Sequence, residues 1–93
     1  MIRASSVPVA ATSVRELEID GEITLFHEPT QTALVLNTTA SDVWRLIDGH
    51  RSAADIAALL ASSYGADPEV VRTDVESALD TLSGHDLVAT APG

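Results

Sequence analysis

The hydrophobic period of this 93-residue chain changes once, near Asn37, from about two residues to about 3.6. Before that point apolar residues tend to alternate with polar ones, the pattern of half-buried strands. After it they recur at i, i+3, i+4 and i+7, the pattern of amphipathic helices. A chain that separates its strands from its helices in this way belongs to the α+β class.

The first part divides into three strands. Leu17 and Ile19 share one face of a strand over 14–19, Ile23, Leu25 and Phe26 mark another over 22–27, and Thr32-Ala33-Leu34-Val35-Leu36 is a short third. Asp20-Gly21 is a strong hairpin signal, because a type I′ turn needs positive φ at both central residues. Glu28-Pro29-Thr30-Gln31 makes the second turn. The strands therefore form a three-stranded antiparallel meander.

Three helices follow. Asn37-Thr38-Thr39 offers N-caps, with Asp42 as a capping-box partner for Thr39, and Ala40, Val43, Trp44 and Ile47 form the apolar stripe. Trp44 at this spacing reads as core. Ser52 caps the second helix, Asp55 lies in its first turn, Ile56, Leu59 and Leu60 face inward, and Gly65 sits where a left-handed C-cap is wanted. Asp67-Pro68-Glu69 starts the third helix, Val71, Val75, Ala78, Leu79 and Leu82 line it, and Gly84 ends it. The order is βββααα: one domain over residues 13–89, with a flexible N-terminal segment 1–12 and a tail 90–93.

Charge narrows the partners. Fourteen Asp and Glu stand against five Arg and no Lys, a net charge of −9. Phosphate backbones are bound by displacing counterions with cations, so this balance argues against nucleic acid. Three strands and three helices also describe a winged helix–turn–helix DNA reader, but the last helix carries Asp67, Glu69, Asp74, Glu76 and Asp80 against Arg72 alone. The same balance disfavours anionic membranes. It fits a basic or apolar polypeptide partner, and equally plain solubility. The absence of Cys excludes disulfides and Cys-ligated metals. No stretch approaches the ~20 apolar residues of a spanning helix, and the expected location is the cytoplasm.

Converging reactive groups are not evident. His27, His50 and His85 lie far apart, without the spacing that puts two imidazoles on one helical face. Ser77 as an acyl-carrier attachment point would fall in mid-helix, behind three strands. The expectation is a non-enzyme, with no catalytic residue, no metal and no cofactor. What the pattern does offer is an edge. The third strand has no charged residue, although edges are usually covered or charged. Either it accepts an extended peptide by strand addition, or a helix or the N-terminal segment covers it.

The run Leu36-Asn37-Thr38-Thr39-Ala40-Ser41-Asp42-Val43-Trp44-Arg45-Leu46-Ile47-Asp48-Gly49 resembles the signature of the PqqD-like family, also called RiPP recognition elements. Arg51-Ser52-Ala53-Ala54-Asp55-Ile56 resembles that family's second-helix start, Tyr64-Gly65-Ala66-Asp67-Pro68-Glu69-Val70 its inter-helix stretch, and residues 79–87 its closing pattern. His85 departs from it, because Gly84 precedes that position where the family often has Lys or Arg followed by Gly. The likeness covers about residues 14–88.

The resemblance implies a winged helix-like fold that binds the leader of a ribosomally made precursor peptide. The leader adds as an antiparallel strand to the third strand and lies in the cleft beside the third helix. Thr32, Ala33, Leu34, Val35 and Leu36 would then supply the main-chain ladder, and Val71, Asp74, Val75, Ala78 and Leu82 the facing wall. The implied partners are the leader and a leader peptidase or other modifying enzyme, with a monomer expected. A free-standing role in lasso-peptide biosynthesis is the preferred placement. Carriage of a precursor to a radical enzyme of quinone-cofactor synthesis is the alternative, and a DNA-binding regulator a more distant one.

Overall fold

Residues 3–91 are described by a computed structural model. The elements are β1 (Pro8–Ala10), β2 (Val14–Ile19), β3 (Glu22–His27), a 3₁₀ turn (Glu28–Thr30), β4 (Thr32–Val35), α1 (Thr38–Leu46), α2 (Ala53–Tyr64), α3 (Pro68–Gly84) and β5 (Val88–Thr90). The expected meander is present as an antiparallel sheet in the order β2-β3-β4, so the third strand of the sequence reading is β4. Asp20 and Gly21 both take positive φ, 53° and 83°, as the type I′ turn requires.

Local signals place the helix ends. Asn37, not Thr39, caps α1, its side chain accepting the Ala40 N–H at 2.8 Å. Ser52 and Asp55 form a reciprocal capping box at the start of α2, and Gly65 closes that helix with φ of 63°. Asp67 caps α3 ahead of Pro68. The core joins Ile23, Leu25 and Leu36 of the sheet side to Val43, Ile56, Leu60, Val71, Val75, Leu79 and Leu82 of the helices. Leu59, expected on the inward face of α2, is 46% exposed, and the small Ala53, Ala57 and Ala61 are buried beside Ile56 and Leu60 instead.

Two larger features also depart from the sequence reading. Residues 1–12, expected to be a flexible lead-in, contain β1, which pairs antiparallel with β5 in a small second sheet. The same segment satisfies helix donors: the N–H groups of Ala53 and Ala54 donate to the carbonyls of Ser6 (2.8 Å) and Ala4 (2.9 Å). The first N–H groups of any helix lack partners within it, which gives the lead-in its anchorage. The expected tail at 90–93 begins inside β5, and Ala91 donates to Val7. Residues 1–2 and 92–93 of these segments lie outside the described residues. The second departure concerns β2. Leu17 and Ile19 share a face, but it is the outward one, and both are about 60% exposed. Glu16 and Glu18, opposite Leu25 and Ile23, are on the inward face.

Candidate functional site

The backbone of β4 sets the site. Leu36 donates its N–H to the Ile23 carbonyl at 2.8 Å, in the register that pairs Val35 with Thr24 and Leu34 with Leu25. Hydrogen-bonded pairs alternate along an antiparallel ladder, so Thr32, Leu34 and Leu36 direct their main-chain groups to β3. Ala33 and Val35 direct theirs to the open side. Among the described residues no strand pairs with that side, and Val35 is 70% exposed.

Ser41 holds this edge against α1. Its buried hydroxyl accepts the Ile23 N–H at 2.9 Å and donates to the Leu36 carbonyl at 3.3 Å. A side chain from α1 thus takes the place of one rung at the end of the β3–β4 ladder.

Beside the open edge lies a cleft of about 400 Å³ between β4 and α3. Leu34, Val35 and Leu36 line its sheet side, and Asn37, Thr39 and Ala40 bring in the start of α1. On α3 two stripes divide the work. Val71, Val75 and Leu79 are buried in the core, while Asp74, Ser77, Ala78 and Thr81, spaced i, i+3, i+4 and i+7, line the cleft. Leu82 serves both, since it is buried and also lines the cleft. Thr81 Oγ1 donates to the Ser77 carbonyl at 3.1 Å and so stays within its own helix.

Of the residues named from the sequence, Leu34, Val35, Leu36, Asp74, Ala78 and Leu82 come together around the cleft. Ala33 is exposed on the open edge, and Thr32 begins β4, its hydroxyl bonded to the Thr30 carbonyl at 3.4 Å. Val71 and Val75 do not line the cleft; their stripe points into the core, which an apolar pattern alone cannot distinguish from a wall. Sequence reasoning missed Asn37, Thr39, Ala40, Ser77 and Thr81. Residues 74, 77 and 81 carry a signal, a polar stripe adjoining the apolar one, but polar helix residues read by default as solvent-facing.

The other side of the sheet is held differently. Trp44, half-buried against the core, donates its Nε1–H to the Glu16 carboxylate at 3.2 Å. Arg45 reaches Glu18 (2.6 Å), Asp42 (2.9 Å) and the Gly21 carbonyl (3.2 Å). Its hydrogen bond to Glu18 is the main cause that raises the guanidinium pKa above the ordinary value. The Tyr64 hydroxyl donates to Asp42; burial first, and this bond second, push the phenol up to about 12. In the loop after α1, the N–H groups of Arg51 and His50, each 2.8 Å from Asp48 Oδ1, hold that carboxyl below the usual carboxylate range.

An antiparallel meander with one bare edge, backed by three helices and opening on the last of them, defines a winged helix-like module with an unpaired strand edge beside a cleft. The family model for coenzyme PQQ synthesis protein D (PqqD) matches residues 22–88, and the chain belongs to that family. No curated protein matches the chain. Among solved structures it is similar to TbiB1 in complex with the TbiA(beta) leader peptide, with 24% identity, 91% of this chain and 99% of that one covered, and a TM-score of 0.80. It is also similar to the PqqD truncation of Methylobacterium extorquens PqqCD, described as a functional and stand-alone RiPP recognition element, with 25% identity, coverage of 96% and 95%, and a TM-score of 0.81. A third is lasso peptide synthetase B1 complexed with the leader peptide, with 24% identity, coverage of 89% and 98%, and a TM-score of 0.75.

Proposed function

We propose that this protein captures the leader segment of a ribosomally made precursor peptide by strand addition to β4 and delivers it to a separate leader peptidase or other modifying enzyme. The observation that carries this reading is the outward main chain of Ala33 and Val35 beside the cleft. Two residues offer about four bonds, two N–H and two C=O, each contributing ~0.5–1.5 kcal/mol net. Apolar side chains inserted into the cleft add ~1.5–3 kcal/mol each. After the costs of association, affinities in the micromolar to nanomolar range follow.

The proposed role is binding without catalysis, and a cleft lined by an amide, hydroxyls, apolar groups and one carboxylate supports it. A lasso-type role is preferred, because one structure of this fold is lasso peptide synthetase B1 complexed with the leader peptide, of which this chain covers 98%. The family's description, coenzyme PQQ synthesis protein D, favours a second reading in quinone-cofactor synthesis, where the role would be carriage of a precursor peptide to a radical enzyme. In either role the protein works as a monomer in the cytoplasm. No helix among the described residues is long and apolar enough to cross a membrane.

Titrating ¹⁵N-labelled protein with the leader of the precursor encoded nearest its gene tests the reading. The largest shifts are expected at Ala33, Val35 and residues 74–82. A Val35→Pro variant that keeps its circular dichroism but binds that leader with equal affinity would end the strand-addition reading. Co-purification with a leader peptidase, or instead with a radical enzyme, decides between the two placements.

A further inference from the structure

One charged residue lines the cleft among the described residues, Asp74. Its carboxylate takes part in none of the ion pairs or side-chain hydrogen bonds found there. Four of the five Arg are paired elsewhere, Arg15 with Glu28, Arg45 with Glu18 and Asp42, Arg51 with Asp48, and Arg72 with Glu69, and the fifth, Arg3, does not line the cleft. The trough is therefore neutral along its length except for one uncompensated negative charge, in a chain of net charge −9. At the far end of the α3 wall stands Leu82, buried and apolar.

Resting on the strand-addition reading, we infer that Asp74 selects a Lys or Arg of the captured segment, about four residues from an apolar side chain received at Leu82. Asp74 and Leu82 are eight helical residues apart, about 12 Å at ~1.5 Å per residue. An extended chain covers that distance in about four residues at ~3.3 Å each. Four is an even number, so both side chains leave the added strand on the face turned toward α3. Between them Ser77 and Ala78 leave room for a side chain two positions from each. A half-exposed pair of this kind contributes modestly, about two- to fivefold in affinity. It discriminates more than it tightens, because an acidic residue at the same place meets repulsion.

The test is selection from a display library of random 20-residue peptides on the full-length protein and on its Asp74→Lys and Val35→Pro variants. Retained melting temperatures show that each variant is folded. The wild-type pool should enrich Lys or Arg four positions from Leu, Ile, Val or Phe. The Asp74→Lys pool should enrich Asp or Glu at the basic position and keep the apolar one. If the two pools carry the same charge there while Val35→Pro loses all binders, the Asp74 assignment is overturned and strand addition stands. If Val35→Pro retains the same binders, strand addition itself fails and the assignment goes with it.

Discussion

β2 and β4 are the two edges of one sheet, and they are finished in opposite ways. In β2 the residues whose main chain faces away from β3 are Val14, Glu16 and Glu18, by the same alternation that turns Ala33 and Val35 outward in β4. Two of those three carry carboxylates, and Glu16 and Glu18 are tied to Trp44 and Arg45 of α1. Charge on an edge discourages pairing with another chain. β4 carries no charge, and the space beside it is left open as far as α3. A three-stranded sheet must have two edges; this one guards the first and presents the second.

Prolines placed on the two edges give the largest contrast. Val35→Pro removes an outward donor and sets a ring in the path of an incoming strand, with leader affinity expected to fall more than about 100-fold, ~3 kcal/mol. Glu16→Pro removes the equivalent donor from β2 and should leave affinity within about twofold. Calorimetric titration of both variants checks this; equal losses would show that the edges do not differ in function.

Filling the cleft sharpens the same point without touching the backbone. Ala78→Phe places a ring in the wall opposite β4 and should weaken leader binding about tenfold, read by fluorescence anisotropy, as ~1.4 kcal/mol.

On the guarded side the effects should fall on stability alone. Trp44→Phe loses the bond to Glu16, a cost of about 1 kcal/mol and a melting temperature lower by about 4–8 °C, with leader affinity unchanged. The smallest effect is at Tyr64, which braces Asp42 in the same network. Its folded pKa of about 12 lies above the ordinary 10.0, so the folded state holds the phenolic proton more tightly. That contribution is fully present below about pH 10 and is lost as the pH rises through 12. Thermal melts of Tyr64→Phe should lack this alkaline loss between pH 10 and 12.

Much of this architecture is legible in the sequence because it is written within a few residues. The turn at Asp20-Gly21, the Ser52–Asp55 box, the Asp67-Pro68 start and the uncharged run of β4 each act over four residues or fewer. The α3 wall is only half legible. Asp74 and Ala78 can be named from the pattern, but Val71 and Val75 read the same way and belong to the core, whereas Ser77 and Thr81 look solvated and line the cleft. The inward face of β2 misleads for a related reason, since Leu17 and Ile19 point out while Glu16 and Glu18 point in beside Val14.

By itself the sequence determined the central meander and the three helices, with their order and most of their ends, because backbone propensity and capping depend on near neighbours. Tertiary structure decided which edge stays bare, which stripe of α3 walls the cleft, and that β1 closes on β5. Those outcomes rest on contacts between distant residues, such as Ser41 with Ile23 and Ala53 with Ser6. No local pattern carries such contacts, because they exist only once the sheet and helices share a core.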